Sequence, residues 1–381
     1  MPIGGGGTNL RKVKVGVIGA GMISSIYLKN ATQTFDDILE VKAVADLVPA
    51  LAAQRAEQYG IPNAWSVDEL LADPEIELVL NLTAPSAHAA VNLQALRAGK
   101  HVYTEKPFAL TREDADEVLS AADAAGLLVG CAPDTFLGAG LQTCRKLIDE
   151  GWIGTPYGAN GTIIMGNASG GMHPNFRNFL KLGGDPVMDM APYYLTALVF
   201  LLGPVRRVTG TAQQLRQEVR ILNPKSPSFG MTVPIEAPTN VSAALDFHSG
   251  ATAGLQAAKE SFGYFPRLEI FGTEGNLTVP DPNFFGGRIA IQFPNGETKE
   301  LPYSHGFAED SRGIGLVDMA VAIRTGRPHR ASGRLARHVL DISLGIFEAS
   351  AEGRHVALGS TVDRPAPLPL GLKYNRLDSD E

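Results

Sequence analysis

Three side chains of this sequence have the types and spacing for proton transfer at an alcohol. Lys106 stands between Glu105 and Pro107 at the end of an apolar run. Asp189 and Tyr193 lie four positions apart at the start of another, a spacing that puts both on one helical face. Removing hydride from a secondary alcohol carbon requires a group that takes the hydroxyl proton. Free lysine and tyrosine titrate near ~10.4 and ~10, too high for good bases at neutral pH, but a neighbouring positive charge lowers either and burial lowers the lysine. In a Lys106–Tyr193 pair the ammonium favours the phenolate. Asp189 reads either as a ligand that orients substrate or Lys106, or as a helix N-cap with Pro192 in the first turn.

A hydride acceptor needs its own binding element. The β-rich run Val13–Ile18 leads into Gly19-Ala20-Gly21-Met22-Ile23-Ser24 and then an apolar helix. The first glycine permits a tight turn, the second lets backbone approach a pyrophosphate, and the helix start supplies amides. Ser24 stands where this pattern has glycine or alanine. The next strand ends at Asp46, a carboxylate placed to accept both ribose hydroxyls of NAD and to repel the extra phosphate of NADP, unless it is only a turn residue. NAD is therefore favoured over NADP. A third strand runs into Thr83-Ala84-Pro85-Ser86-Ala87-His88, at the crevice where such sheets bind ligands. Here Pro85 fixes the turn, Ser86 caps the following helix, and His88 is either a cofactor contact or a surface histidine. Gly19, Gly21, Met22, Ile23, Asp46, Thr83, Pro85 and His88 are the cofactor candidates of this half.

The elements that position these residues alternate short strands (Val13–Ile18, Glu40–Ala45, Leu78–Leu82, His101–Thr104, Leu127–Cys131) with helices, the signature of a parallel sheet covered on both faces. Ser66 with Glu69, and Thr111 with Asp114, read as capping boxes. After Cys131 the rhythm changes to one helix over Asp134–Glu150 and then long consecutive strands, which predicts a large open, mostly antiparallel or mixed sheet. The helix Leu195–Leu202 and two late helices near Gly315–Arg324 and Ser332–Gly353 accompany it. The fold class is α/β, with a nucleotide-binding domain over 1–132 and an α+β domain over 133–381 for substrate and assembly. Between Gly166 and Asp185, a Gly-, Asn- and Ser-rich loop carries His173 and Arg177, either substrate contacts or residues of a solvated loop. Tyr194 and Phe200 read as core.

Composition bounds the rest. The 381 residues are 44% hydrophobic and 19% charged, which excludes disorder for the bulk of the chain, and the net charge of −7 argues against a nucleic-acid or anionic-membrane partner. No apolar run reaches the length of a membrane span, and Gly4 to Gly7 stand where a signal peptide needs apolar residues. Cys131 and Cys144 read as buried free thiols of a reducing compartment, so a cytoplasmic location is expected. His305, His329 and His338 lack partners at metal-ligand spacing, and no metal is expected.

The glycine turn, the Glu105-Lys106-Pro107 turn, the Gly183-Gly184-Asp185-Pro186-Val187-Met188-Asp189 stretch and the late Arg327-Pro328-His329 element occur in an order that resembles the Gfo/Idh/MocA family of NAD(P)-dependent oxidoreductases. The resemblance covers nearly the whole chain. It implies an N-terminal Rossmann domain, a sugar, glycoside or cyclic polyol substrate, and Lys106 beside both nicotinamide and substrate hydroxyl, with Glu105 also at the cofactor. Many members carry histidine where this chain has Tyr193, a departure in which it is similar to glucose-fructose oxidoreductase and which leaves Lys106, Tyr193 or a relay of both as the proton acceptor. Lys106, His173, Arg177, Asp189 and Tyr193 are the substrate-site candidates. The expected activity is oxidation of a ring hydroxyl to a ketone. An NAD-recycling glycoside hydrolase and a non-catalytic NAD- and sugar-sensing regulator are the alternatives, and a homodimer or homotetramer would cover the open sheet.

Overall fold

The computed structural model describes residues 11–166, 177, 180–181, 183–261 and 263–372. The first half contains β1 (Val13–Ile18), α1 (Ser24–Lys29), β2 (Leu39–Ala45), α2 (Pro49–Tyr59), β3 (Asn63–Trp65), α3 (Val67–Ala72), β4 (Leu78–Asn81), α4 (His88–Arg97), β5 (His101–Thr104), α5 (Arg112–Ala125) and β6 (Val129–Cys131). These six strands pair in parallel in the order β3-β2-β1-β4-β5-β6, a doubly wound sheet. All four residues of β4 and five of six in β1 are buried, as expected of strands covered on both faces. The edge strand β3 is not among the sequence-derived strands, because Asn63-Ala64-Trp65 offers no apolar run.

Local capping largely follows the sequence. Ser66 and Glu69 form a reciprocal capping box, whereas at Thr111 the cap is the hydroxyl accepting from the Asp114 amide at 3.1 Å. The start of α4 departs from expectation: Ser86 lies inside a 3₁₀ turn, Pro85–Ala87, whose N-cap is Ala84, and no side-chain cap is formed there. Residues Asp134–Glu150 are not one helix either. A 3₁₀ turn at Thr135–Leu137 is separated from α6 (Ala139–Asp149) by extended Gly138, where a Cβ would lie 2.6 Å from the Phe285 backbone. That close passage interrupts the helix.

The second half continues with β7 (Pro156–Gly166), α7 (Pro186–Asp189), α8 (Ala191–Leu202), β8 (Val205–Gln213), β9 (Glu218–Arg220), β10 (Thr232–Pro234), β11 (Asn240–Phe247), β12 (Thr252–Ser261), β13 (Tyr264–Gly272), β14 (Asn276–Val279), β15 (Ala290–Gln292), β16 (Thr298–Glu300), α9 (Ile314–Thr325), α10 (Gly333–Glu352) and β17 (Val356–Ala357). Nine strands form one sheet in the order β16-β15-β14-β13-β7-β12-β11-β8-β17, antiparallel except where β7 meets β12. Strands β9 and β10 form a separate hairpin. All twelve residues of α8 are buried, with Tyr194 and Phe200 in the core, because the helix is packed among β7, α6 and α10. Along β11 and β12 the outer face carries Ser242 and Gln256, hydrogen-bonded to each other.

The last two helices return to the nucleotide half. The amide of Cys131 donates to Ala331 O at 3.0 Å, and α10 packs on β8 of the large sheet as well as on α5 and β6. Arg112–Asp341 (2.5 Å), Arg337–Asp116 (2.6 Å) and Arg334–Asp123 (2.8 Å) tie α10 to α5. Among the described residues no helix is long and apolar enough to cross a membrane.

Candidate active site

The turn after β1 is shaped by its glycines. Gly19 has φ +108°, and a Cβ there would lie 2.6 Å from the carbonyl of Leu82, so only glycine fits. A Cβ on Gly21 would meet nothing within 4 Å, which leaves that backbone open to a ligand. Ser24 is buried and its hydroxyl donates to Gly21 O at 2.6 Å, so the serine that replaces the pattern's glycine or alanine closes the turn. Asp46 accepts from the Ala20 amide (2.7 Å) through Oδ2 and from the Val48 amide (2.8 Å) through Oδ1. It is thus a turn residue, and each oxygen keeps a second lone pair for a ribose hydroxyl. Met22 and Ile23 stay exposed, as do Leu47 (95%) and Val48. Leu47 and Val48 went unnoticed in the sequence, although two apolar residues directly after the carboxylate are a rim suited to an adenine ring. Open glycine backbone, fixed carboxylate and apolar rim together fit a dinucleotide.

The β4 and β5 ends hold the next layer. Thr83 donates its hydroxyl to Asn81 Oδ1 at 2.7 Å, and Pro85 opens the half-buried turn across from Gly183. His88 is neither a surface histidine nor presented to a cofactor. It is 1% exposed, with Nδ1 2.7 Å from Pro107 O and Nε2 3.0 Å from Thr83 O, and it braces the two turns against each other. Burial pushes its pKa down. Glu105 is buried as well, its Oε1 accepting from the Tyr27 hydroxyl (2.8 Å) and its Oε2 from the Lys106 amide (2.9 Å).

Lys106 leaves this turn toward the second half. Its Nζ donates to Asp189 Oδ1 and to Asp189 O, both at 2.7 Å, and stands 5.3 Å from the centre of the Tyr193 ring. The guanidinium of Arg312 is 6.0 Å from the same ring and reaches Asn283 O and Oδ1 at 3.4 Å. Arg312 also lines a solvent-open cavity with Asn283, Phe284, Phe285, Ala308 and Asp310. Asp189 is not an N-cap. That place belongs to Asp185, which accepts from the amides of Val187 and Met188, while Asp189 ends α7 and Tyr193 stands in the first turn of α8. The other carboxylate oxygen of Asp189 accepts from Lys259 Nζ at 2.8 Å.

The electrostatics correct one expectation. Burial lowers the Lys106 pKa, but the carboxylate of Asp189 raises it and wins, so the lysine is held as an ammonium. For Tyr193 burial raises the pKa while Lys106 and Arg312 pull it back, with a net rise. Asp189 is held well below the carboxylate range, burial being outweighed by the two lysines.

Lys259, Arg312, Asp185 and Tyr27 were not identified from sequence. For Lys259 a signal existed: Ala253, Leu255, Ala257 and Lys259 alternate in one phase, the buried one, and a lysine in that phase needs a partner. His173 lies outside the described residues. Arg177 is exposed and reaches Met231 Sδ at 3.9 Å, and none of its described contacts is with Lys106, Asp189 or Tyr193. Among the described residues no cluster of His, Cys, Asp and Glu could hold a metal ion.

Residues 13–132 match the model of an oxidoreductase family with the NAD-binding Rossmann fold, which makes this chain an NAD-binding oxidoreductase. Residues 141–278 match the GFO/IDH/MocA C-terminal domain. The chain belongs to the Gfo/Idh/MocA family. It is 22% identical over 356 residues to myo-inositol 2-dehydrogenase of Thermotoga maritima, covering 92% of this chain and 100% of the relative. To levoglucosan dehydrogenase of Pseudarthrobacter phenanthrenivorans it is 25% identical over 248 residues, 62% of this chain and 64% of the relative. Among solved structures, a levoglucosan dehydrogenase complex with NADH superposes with TM-score 0.80 at 22% identity, over 92% of this chain and all of the other. An NAD binding oxidoreductase from Klebsiella pneumoniae superposes with TM-score 0.79 at 23% identity, over 91% and 99%.

Proposed function

We propose that this enzyme oxidises a secondary hydroxyl of a sugar, glycoside or cyclic polyol to a ketone with NAD. The observation that carries the reading is the contact of Lys106 with the Asp189 carboxylate beside the Tyr193 ring, where the nucleotide half meets the second sheet. The relatives named for inositol and levoglucosan support the substrate class. When bound, the nicotinamide supplies the hydride acceptor. The residues of the chain supply the rest. Lys106, kept charged by Asp189, donates to the substrate oxygen and stabilises the developing alkoxide, and Tyr193, in the phenolate fraction that Lys106 and Arg312 sustain against burial and that grows toward alkaline pH, takes the hydroxyl proton and passes it to solvent. One alcohol and one NAD thus become one ketone, one NADH and one proton. The solvent-open cavity by Arg312 and Asn283 offers donors for the remaining hydroxyls of a polyol. The two buried free thiols fit a reducing compartment such as the cytoplasm, and a homodimer or homotetramer is the proposed assembly.

The test is NADH formation at near-UV wavelengths with hexoses, anhydrosugars, inositols and aryl glycosides, NAD and NADP being supplied separately. Turnover with NAD on one ring-polyol class is the expected result. Sugar release without net NADH from the aryl glycosides, or cofactor binding with no turnover on any compound, would overturn the dehydrogenase reading.

A further inference from the structure

We propose that Lys259 is a positioning residue of the proton-transfer centre, holding the Asp189 carboxylate from the sheet side so that its other oxygen stays on Lys106 beside Tyr193. This rests on the dehydrogenase reading above. The arrangement is a carboxylate shared by two ammonium groups from distant elements: Oδ1 on Lys106 at 2.7 Å, Oδ2 on Lys259 at 2.8 Å. Lys259 belongs to β12 and is 7% exposed, and its Nζ also donates to Gly184 O in the loop that leads into α7. It therefore grips Asp189 and the backbone just ahead of α7 at once.

Burying a second ammonium is costly, and an apolar side chain of similar length would fill the slot without that penalty. The charge answers the buried Asp189 carboxylate and fixes its direction. A carboxylate turns about its last bond unless both oxygens are occupied, and with Lys259 in place the oxygen facing Lys106 has one position. Among the described residues, the charged and titratable groups around this centre include Lys106 and Glu105 from the turn after β5, Asp185 and Asp189 at the two ends of α7, Tyr193 on α8 and Arg312 ahead of α9. Removal of Lys259 frees Oδ2, and the whole carboxylate then turns to Lys106. The lysine is displaced from the Tyr193 ring, and a cation that opposed proton uptake is lost from the centre.

The test compares wild type with Lys259→Met, Lys259→Gln and Lys259→Arg. For Lys259→Met we expect a fall in kcat of about 10- to 100-fold, a KM for NAD within about threefold of wild type, and a shift of the acid limb of kcat toward higher pH. Lys259→Gln, which keeps a donor without the charge, should share the shift, and Lys259→Arg should restore the wild-type limb. Unchanged kcat and pH profile would overturn the proposal. So would a loss of activity that only follows a lower melting temperature with the limb unmoved. Crystal structures of wild type and Lys259→Met give a readout independent of turnover. A rotated Asp189 carboxylate supports the proposal, and an unmoved one overturns it. If wild type oxidises no compound of the panel, the dehydrogenase reading fails, and the crystal structures still decide the positioning role.

Discussion

Tyr27 and Lys106 are joined through a single carboxylate: the Tyr27 hydroxyl donates to one oxygen of Glu105 at 2.8 Å, and the amide of Lys106 donates to the other at 2.9 Å. Tyr27 sits on α1, directly after the glycine turn. The helix that starts at the dinucleotide site and the backbone of the proposed catalytic lysine therefore share one support. Tyr27→Phe leaves a buried carboxylate oxygen without its donor, at a cost of about 1–3 kcal/mol. The expected outcome is a lower urea midpoint together with a raised KM for NAD. A variant that loses stability but keeps its KM would show the support to be local.

Lys106→Met should lower kcat by about 10²- to 10³-fold, the range for removing a donor that stabilises a developing oxyanion, with the dissociation constant of NAD within about threefold of wild type. Stopped-flow NADH formation and isothermal titration separate the two quantities. Equal losses in both would assign Lys106 to the cofactor alone.

The rate of alcohol oxidation should fall as pH falls. Burial raises the pKa of Tyr193 while Lys106 and Arg312 lower it, so the phenolate fraction grows toward alkaline pH. Arg312→Gln removes one of the two lowering charges and should move the acid limb of kcat to higher pH. Tyr193→Phe should abolish the limb and cost about 10²-fold or more in kcat. A limb that survives in Tyr193→Phe would identify another group as the base.

Asp46→Ser keeps one short acceptor in place of the two carboxylate oxygens that accept from the Ala20 and Val48 amides, and removes the negative charge at the ribose site. Its KM for NAD should rise by about tenfold, and its preference for NAD over NADP should narrow. Side-by-side kinetics with both cofactors measure this. An unchanged ratio would reduce Asp46 to its turn role.

Stability should also fall in mild acid, through a histidine far from the site. His338 accepts from the Val205 amide at 3.0 Å through Nε2, and its Nδ1 lies 2.8 Å from Ser360 Oγ, which in turn donates to Asp341. Burial pushes its pKa down to about 4. The unfolded chain takes up a proton near pH 6.5 that the folded chain refuses, so this contribution is complete above about pH 6.5 and is lost as pH falls to about 4, amounting to about 3 kcal/mol. Urea midpoints at pH 7 and pH 4.5 would show it, and His338→Gln should reduce the difference, with His88 and the other buried histidines supplying the remainder.

Much of this was legible in the residues. The buried parallel strands are apolar runs, and Gly19 and Asp46 declare themselves because the turn after β1 demands a glycine at φ +108° and an acceptor for the Ala20 and Val48 amides. Lys106 reaches Asp189 and lies beside the Tyr193 ring, but Asp189 and Tyr193 stand on separate helices, α7 and α8, and not on one helical face. Asp189 was open to misreading as a cap because a second aspartate, Asp185, lies four positions earlier and takes that place. Lys259 acts across 70 positions of chain, and no local pattern carries such a pairing. The rise in the Lys106 pKa depends on which of several charges lies nearest, a balance that residue types alone do not set.

Helix α10 bears on how substrates reach the site. It packs against the large sheet on one side and, through three arginine–aspartate pairs, against α5 on the other. A hinge between the halves would have to break those pairs and peel a twenty-residue helix from one of its neighbours. On the dehydrogenase reading, α10 then holds the width of the groove between the halves, and a substrate is selected by its fit to that width.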